Sequence, residues 1–257
     1  MPSEPSASFQ RGELPDGREV YRFAPLCNVP GVAHAYTTRH GPLFPAEADA
    51  GAALYKHLAA ELGCRDVAWC RQVHGDRVLP VRRGGCAGEA DGLVTDSPGL
   101  AVLGRSADCV LILAADAGGR VVGMAHASWR STVKRVAVHL IEIMREKFGV
   151  SPADVIACVG PSAGPDQYEV SRDVYDTAVE HLGEDATNFF IKTPQPGKWH
   201  MDLWAANASQ LMQAGVGFMN LYTARVCTIK RNDIFPSRRV EGDNAQRFAA
   251  IIGPRKQ

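Results

Sequence analysis

The chain has 257 residues, 46% of them hydrophobic, and its 28 Lys and Arg residues balance 28 Asp and Glu residues, so its formal net charge is zero. A balanced charge argues against nucleic acid or an anionic membrane surface as the main partner. The sequence has no uncharged apolar run of about 18 residues, which argues against a membrane-spanning protein.

The cysteines and the start of the chain bear on the cellular compartment. Seven cysteines are scattered along the sequence, and this odd number favours reduced thiols in a cytoplasmic protein over a disulfide framework. The first residues lack the basic and apolar regions of a secretory signal. Residues 1–17, rich in Pro, Ser and Gly, are predicted to form a flexible N-terminus. Residues 18–257 are predicted to form a single domain, because no repeat or linker divides them.

Apolar periodicity predicts one helix among several strands in the first half of the chain. The helix covers 52–62, where leucines recur at helical spacing before Gly63. Two strands are predicted on either side of a turn at Gly75-Asp76. The Gly-rich segment 82–90 is predicted to be a loop, and it matches neither a phosphate loop nor a dinucleotide fingerprint. The other predicted strands are 19–23, 31–38, 91–96 and 100–103.

A hairpin is predicted at the centre of the chain. The apolar runs 110–115 and 120–125 flank Asp116-Ala117-Gly118-Gly119, a turn typical of antiparallel strands. Because a hairpin brings its two ends together, Cys109 is expected beside His126. A thiol next to an imidazole is either part of a metal site or a nucleophile–base pair. A buried cysteine can also act as a small hydrophobic residue only.

Polar residues around this pair favour a chemical role. Asp108 precedes the cysteine, and Trp129-Arg130 follow the histidine. A helix capped by Ser131 or Thr132 is predicted to run to Phe148, and its N-terminus beside Arg130 is a plausible anion site. A surface ion pair explains Arg130 equally well.

The rest of the chain adds strands and two helices in mixed order. Ser171 and Asp202 are predicted to cap helices that end near 182 and 214. Further strands are predicted over 154–159, 221–226 and 249–252. Many strands with few long helices indicate an α+β layered domain. The sequence leaves open whether Arg238, Arg239 and Arg247 reach a site or only the surface.

His74 supplies a third nitrogen or sulfur donor near a predicted strand end. With Cys109 and His126 it makes the set that an open zinc site needs, three protein ligands and one free position. A competing set is Cys64, Cys70 and His74, which ranks lower because its spacing matches no common zinc knuckle.

Five ordered motifs carry a resemblance that runs from about Gly31 to Ile252. They are Gln72-Val73-His74-Gly75-Asp76, Ala107-Asp108-Cys109, His126-Ala127-Ser128-Trp129-Arg130, Tyr168-Glu169-Val170 and Asp202-Leu203-Trp204-Ala205-Ala206-Asn207. Together they resemble the YfiH family, also called multicopper polyphenol oxidases, laccase-domain proteins or purine nucleoside phosphorylases. The resemblance implies a four-layer α/β/β/α sandwich, a fold also found in bacterial deamidase toxins that use a Cys–His pair.

The resemblance also implies a function. The family's metal ligands fall on His74, Cys109 and His126, with zinc expected and copper (Cu2+) as the alternative. The implied activities are phosphorolysis of adenosine, inosine or methylthioadenosine and deamination of adenosine. The expected partners are therefore a small nucleoside and phosphate, and a monomer is the default. Catalytic roles are expected for Cys109, His126 and Asp108, and substrate contacts for Gln72, Arg39 and Arg130, the last two holding phosphate.

The chain departs from the family pattern next to the predicted metal ligands. Ser128 and Ser131 stand where the family has glycines, and Ser106 stands for a threonine. The segment Pro236-Ser237-Arg238-Arg239 lacks the family's tyrosine. The metal ligands are therefore kept, whereas the added side chains are expected either to narrow the substrate pocket or to change which backbone groups the substrate meets.

Three other functions are weighed against the nucleoside enzyme. A metal-free hydrolase would use Cys109 as nucleophile and His126 as base, with His74 as a substrate contact, and the resemblance links this chemistry to editing of peptidoglycan precursors. A copper polyphenol oxidase is disfavoured, because several copper ions need many ligands and the chain has eight histidines and no His-x-His pair. A binding protein with a degenerate site is the remaining alternative.

Overall fold

A computed structural model describes residues 5–255 of the protein. Its strands are β1 (Phe9–Glu13), β2 (Glu19–Phe23), β3 (Val32–Thr37), β4 (Asp66–Arg71), β5 (Val78–Pro80), β6 (Gly85–Glu89), β7 (Gly92–Thr95), β8 (Leu100–Ser106), β9 (Val110–Asp116), β10 (Val122–Ala127), β11 (Val155–Val159), β12 (Glu169–Ser171), β13 (Phe190–Lys192), β14 (Lys198–Met201), β15 (Leu221–Thr223) and β16 (Phe248–Pro254). Its α-helices are α1 (Ala24–Cys27), α2 (Ala52–Glu61), α3 (Trp129–Val133), α4 (Val136–Phe148), α5 (Arg172–Leu182), α6 (Leu203–Gln213) and α7 (Arg238–Glu241). Short 3-10 helices cover Asp49–Gly51, Pro152–Asp154, Glu184–Phe189, Phe218–Asn220 and Gly242–Asn244.

Two large sheets form the centre of the molecule. The seven-stranded sheet has the order β1-β2-β3-β16-β8-β4-β6, and the six-stranded sheet has the order β15-β11-β9-β10-β7-β5. A small third sheet, β12-β14-β13, lies apart from them in the pairing pattern. The central strands β8, β9 and β10 are buried along their whole length, as expected for strands covered on both faces.

The apolar clusters define four layers. Side chains of both sheets, including Tyr36, Leu111 and Met124, form one cluster between them. Helix α2 packs Leu58 against the outer face of the seven-stranded sheet. Helices α4 and α6 cover the outer face of the six-stranded sheet, where Leu140 joins the cluster of Ile112. The predicted α+β fold and its four-layer α/β/β/α sandwich are confirmed.

The central hairpin is also confirmed. Strands β9 and β10 pair antiparallel, with His126 opposite Leu111 and Ala127 opposite Val110. The Asp116 carboxylate accepts the backbone N–H of Val121 at 2.6 Å, which closes the turn. Cys109 therefore lies directly before the first strand, at the same end of the hairpin as His126.

Two predictions for local structure are wrong. Residues 85–89 of the predicted Gly-rich loop form strand β6, which pairs parallel with the edge of β4 through its backbone. Glycine has low strand propensity, so side-chain pattern could not reveal this pairing. The predicted helix to Phe148 is two helices, because Arg135 adopts a left-handed backbone with φ of 65° between them. Ser128, not Ser131 or Thr132, caps the first of these helices.

The N-terminal segment contains a strand that the sequence analysis did not predict. Within the segment 1–17, residues 9–13 form β1, which pairs with β2 and places Phe9 opposite Phe23. Phe9 is buried and its ring stacks on Tyr21 at 5.1 Å. Residues 1–4 lie outside the described part. None of the helices within residues 5–255 combines the length and apolarity that crossing a bilayer requires.

Candidate active site

The candidate site lies where the chain passes between the two large sheets. Strand β4 belongs to the seven-stranded sheet and β5 to the six-stranded sheet, so the turn at Gly75-Asp76 does not close a hairpin. This crossing brings His74 to the start of β9 and the end of β10. The rings of His74 and His126 lie 5.1 Å apart between centroids. Cys109 lines the same cavity as both histidines.

The carboxylate of Asp91 fixes the ring of His126. This carboxylate is fully buried, and His126 is 3% exposed. Oδ1 of Asp91 lies 2.8 Å from Nδ1 of His126, and the backbone N–H of His126 donates to the backbone oxygen of Asp91 at 2.6 Å. Because Nδ1 is engaged, Nε2 is the ring nitrogen left to face Cys109 and the cavity.

Asp91 also holds the turn that carries His74. Its carboxylate accepts the backbone N–H groups of Val73, His74 and Gly75 at 3.2, 3.1 and 2.7 Å. These bonds stabilise a left-handed backbone at His74, with φ of 59°. The sequence analysis did not single out Asp91. The one feature of the sequence that points to Asp91 is that this acidic residue directly precedes the apolar strand β7.

Burial and charge set the protonation of the two histidines. Burial alone lowers the pKa of His126, but the neighbouring Cys109 side chain and the Asp91 carboxylate outweigh it and raise that pKa to about 9. Burial, together with the nearby His126, lowers the pKa of His74. In the protein without metal, His126 is therefore the proton carrier of the pair and His74 is neutral.

The predicted metal ligands His74, Cys109 and His126 all line one cavity. Two imidazoles and a thiol, with a carboxylate behind one imidazole, form a donor set that zinc uses in proteins. In the described part of the chain, however, Asp16, His57 and Glu61 are the only such group with all three ligand atoms within 4.8 Å of one another. The donor chemistry of the predicted ligands thus fits zinc. Their three ligand atoms, however, do not all lie within 4.8 Å of one another.

The competing set of Cys64, Cys70 and His74 is not brought together. Cys64 lies in the apolar cluster under α2, whereas Cys70 lies in the cluster between the two sheets. The two thiols are therefore on opposite faces of the seven-stranded sheet. Burial raises the pKa of both thiols, to about 11 for Cys64 and about 12 for Cys70.

Two adjoining cavities meet at His74 and Cys109. The first has a volume of about 160 Å³ and is lined by Arg105 and Arg247 on its far side. The second has a volume of about 340 Å³ and contains the aromatic rings of Trp129 and Tyr168. Arg238 lines both cavities, and Arg239 lines the larger one. These arginines of the C-terminal part of the chain thus reach the site.

Of the three residues predicted to contact the substrate, one lies outside both cavities and the other two line different cavities. Arg39 lines neither cavity, because its guanidinium is ion-paired with Glu241 at 2.5 Å and bonded to the backbone of Asn232 at 2.8 Å. Gln72 lines the smaller cavity, but its amide bonds both the N–H and the C=O of Arg105. Arg130 lines the larger cavity, with its guanidinium 4.3 Å above the ring of Trp129.

Asp108 joins the cavity wall to the C-terminal segment. One carboxylate oxygen accepts the hydroxyl of Thr228 at 2.6 Å, and the other accepts the backbone N–H of Arg239 at 2.7 Å. The backbone of Asp108 is left-handed, with φ of 92°, a conformation that costs free energy in a non-glycine residue. These contacts favour a role in positioning over a role in proton transfer.

The serines that replace the family glycines bond to each other. Ser128 and Ser131 are both buried, with 2.8 Å between their hydroxyl oxygens. Ser128 Oγ also accepts the backbone N–H of Ser131 at 3.1 Å, which caps α3. Ser128 lines the larger cavity, whereas Ser131 lines neither.

Comparison with known proteins identifies a family and several relatives of this chain. The family described as multi-copper polyphenol oxidoreductase laccase matches residues 47–255. A purine nucleoside phosphorylase from Deinococcus radiodurans is 34% identical over 91% of this chain and 94% of its own length. One from Bacteroides thetaiotaomicron is 36% identical over 63% of this chain, an alignment that spans only 60% of that relative. An adenosine deaminase from an unknown prokaryotic organism is 30% identical over 95% of this chain and 92% of its own length.

Solved structures share the fold over nearly the whole chain. YlmD from Geobacillus stearothermophilus is 26% identical with a TM-score of 0.81, and the match covers 97% of this chain and 99% of that one. The hypothetical protein YfiH from Bacillus licheniformis is 24% identical with a TM-score of 0.84, covering 96% and 99%.

Proposed function

Because the chain belongs to the multi-copper polyphenol oxidoreductase laccase family, we propose that it is a purine nucleoside phosphorylase that also deaminates adenosine. The relatives that carry these two names support a nucleoside-processing enzyme. Adenosine, inosine and methylthioadenosine are the proposed substrates. The observation that carries the proposal is the pair of His74 and Cys109 at the junction of a small cationic cavity and a larger aromatic one.

The proposed cofactor is zinc held by His74, Cys109 and His126. Bound zinc would supply a Lewis acid that polarises a substrate oxygen or water. Asp91 fixes the His126 ring through Nδ1 and thereby keeps Nε2 available as the ligand atom. The same carboxylate keeps His74 in place through the backbone of its turn.

The larger cavity provides contacts for a purine nucleoside. Its volume of about 340 Å³ falls within the range of roughly 300–1,000 Å³ that is typical of small-molecule sites. Trp129 and Tyr168 offer aromatic faces, and a base stacked on such a face gains about 1–3 kcal/mol. Arg239 lies 5.2 Å over the Tyr168 ring and restricts that ring's movement.

In phosphorolysis a phosphate oxygen bonds to C1′ of the ribose while the bond from C1′ to the purine nitrogen breaks. The base keeps the electron pair and takes up the proton that dihydrogen phosphate releases, so the products are a purine and ribose 1-phosphate. Deamination instead adds water to adenosine and releases ammonia, and it requires no phosphate. The two activities can therefore be measured separately on one enzyme preparation.

A multicopper oxidase is not proposed. Several copper ions need several sets of ligands, whereas only His74 and His126 among the described histidines line the two cavities. Copper remains the alternative ion for the single site, because two imidazoles and a thiolate bind it as well.

A metal-free hydrolase is the second candidate, favoured by one observation. Cys109, His126 and Asp91 form the chain of nucleophile, base and orienting carboxylate that cysteine hydrolases use. The raised pKa of His126 allows its imidazole to take up the proton of a nucleophile. The resemblance to editing factors makes a peptidoglycan precursor the substrate to try for this candidate.

Metal content and turnover of the Cys109→Ala variant test the proposal. We expect one zinc per chain in the wild-type protein, its loss in the variant, and loss of phosphate-dependent release of purine from inosine. The matched control is Cys27→Ala, whose thiol is exposed and lines neither cavity. Wild-type turnover of inosine by the Cys109 variant would exclude the proposed role of Cys109, and failure of the wild-type protein to cleave any of the three nucleosides would exclude the phosphorylase. Hydrolysis that survives chelation but is abolished by thiol alkylation would favour the second candidate.

A further inference from the structure

We propose that inorganic phosphate binds in the smaller cavity, on the guanidinium groups of Arg105 and Arg247, and not on Arg39 and Arg130. This inference rests on the proposed phosphorolysis for its biological meaning, but phosphate binding itself is measured without a nucleoside.

Arg105 is a buried cation that lacks a counterion within the described residues. The residue is 6% exposed, and no carboxylate oxygen of residues 5–255 comes within 4.0 Å of its guanidinium. Its Nη1 donates to the backbone oxygens of Pro45 and Ala46 at 3.0 and 3.2 Å. Its Nε has no partner among the described residues although it is buried. A buried charge with an unused donor is costly unless an anion completes its contacts.

Arg247 is brought to the same cavity by strand pairing. Arg105 is the last residue but one of β8 and pairs with Ala249 of β16, and Arg247 directly precedes β16. The backbones of Phe44 and Arg247 exchange two hydrogen bonds of 2.9 Å. The next two residues, Pro45 and Ala46, bind the Arg105 guanidinium through their backbone oxygens. One short segment therefore fixes both arginines relative to each other.

The smaller cavity carries only positive and neutral side chains. Arg105, Arg238 and Arg247 line it together with His74 and His126, and no Asp or Glu of the described chain does so. Burial and then the nearby Arg238 lower the pKa of Arg247, with Arg105 adding to the effect. Arg238 is exposed and paired with Asp243 at 2.7 Å. Arg247 donates from Nη1 to the backbone oxygens of Ala245 and Gln246 but, like Arg105, forms no ion pair with a carboxylate of the described residues. Planar guanidinium groups match the oxygens of phosphate in pairs of hydrogen bonds.

The volumes of the two cavities favour phosphate in the smaller one and the nucleoside in the larger one. At about 160 Å³ the smaller cavity lies below the roughly 300–1,000 Å³ of typical small-molecule sites, which favours a compact anion over a nucleoside. Both cavities share His74 and Cys109, so phosphate in one meets the ribose of a nucleoside in the other. Arg39 is already ion-paired with Glu241, and Arg130 lies in the larger cavity on Trp129.

Titration of the purified protein with inorganic phosphate, in a phosphate-free buffer of constant ionic strength, tests the inference. Calorimetry and the rise in Tm both report binding. We expect Arg247→Gln to weaken phosphate binding about tenfold or more, since a charged hydrogen-bond donor is lost. Arg105→Lys is used at the buried position because it keeps the charge while losing the planar pair of donors, and it too should bind phosphate more weakly.

Two further variants serve as controls. One removes a positive charge from the surface, and the other removes Arg130, the alternative phosphate ligand. Arg82→Gln removes a guanidinium whose side chain is 78% exposed and should leave phosphate affinity unchanged. Arg130→Gln should leave it unchanged as well. The inference is overturned if the wild-type protein does not bind phosphate, if Arg247→Gln binds it as the wild type does, or if Arg130→Gln alone shows the loss.

The outcomes separate this inference from the proposed function. If phosphate binds through Arg247 but no nucleoside is cleaved, the phosphate site stands and the proposed activity fails. If purine is released in a phosphate-dependent reaction while Arg247→Gln keeps full phosphate affinity, the activity stands and this site is wrong.

Discussion

The carboxylate of Asp91 lies 2.8 Å from Nδ1 of His126, and both groups are buried at the end of the six-stranded sheet. The same carboxylate accepts the backbone N–H groups of the turn around His74. One buried acidic group therefore fixes two histidines that come from different parts of the chain. A carboxylate in this position sets the orientation of a ligand and strengthens it as a donor.

Replacing Asp91 should affect both stability and metal binding. Asp91→Asn leaves one oxygen to serve several donors, so we expect a loss of about 3 kcal/mol in the free energy of unfolding. Zinc affinity should fall by roughly 10- to 100-fold, as for other residues behind a metal ligand. Urea denaturation and competitive zinc titration measure the two effects. Asp96→Asn is the control, since Asp96 is partly exposed and pairs only at 3.9 Å with Arg82. Unchanged zinc affinity in a folded Asp91→Asn protein would contradict the positioning role.

The two serines beside the site should be energetically coupled. Ser128→Ala removes the cap of α3 and the partner of the buried Ser131 hydroxyl, so we expect a loss of about 1–2 kcal/mol in the free energy of unfolding. In a Ser131→Ala background the same change removes only the cap and should cost about 1 kcal/mol. Chemical denaturation of the two single variants and the double variant measures the coupling. Strictly additive effects would show that the hydroxyl pair contributes nothing.

Trp129 should act on the nucleoside and not on phosphate. Trp129→Ala removes an aromatic face of the larger cavity, so KM for inosine should rise about tenfold, while phosphate affinity stays the same. Steady-state kinetics at saturating phosphate measures the change. Trp199→Ala is a matched control, because its ring stacks on Tyr175 at 4.7 Å and lines neither cavity. An equal rise in KM for both variants would mean that general loss of packing, and not stacking of the base, causes the effect.

His34 should make the fold sensitive to acid. It is fully buried, its Nε2 accepts the backbone N–H of Phe23 at 2.8 Å, and burial lowers its pKa from 6.5 to about 3. Below pH 6.5 the unfolded chain binds a proton at His34 while the folded chain does not. The stability present above pH 6.5 is therefore lost as the pH falls toward 3.

The size of this effect follows from the two pKa values. Between pH 7 and pH 5 the wild type should lose about 2 kcal/mol more than His34→Gln, whose side chain keeps an acceptor for Phe23 but does not titrate. Urea denaturation at both pH values measures the difference. Parallel stability curves for the two proteins would contradict a neutral buried His34.

Local pattern predicted the hairpin of the site correctly. The strands that bring Cys109 to His126 are consecutive, joined by a short turn and marked by continuous apolar runs. By contrast, no local pattern reports that Arg39 is ion-paired with Glu241, because that partner lies 202 residues further along the chain. Asp91 was missed for a related reason, since its donors come from the turn around His74 and from β10, which is the third strand after β7 in the chain.

The sequence by itself determined most of the central strands of the sandwich, the main helices that cover it and the cysteine and histidines that resemble a metal site. These features depend on side-chain periodicity and on residue chemistry, and both can be recognised within short stretches of the sequence. Only the tertiary structure decided that β4 and β5 belong to different sheets, that Asp91 supports two histidines, and that Arg105 lies buried beside Arg247. Burial and charge pairing arise from contacts between distant segments, and they decide which polar side chains are satisfied within the protein and which are left to bind a substrate.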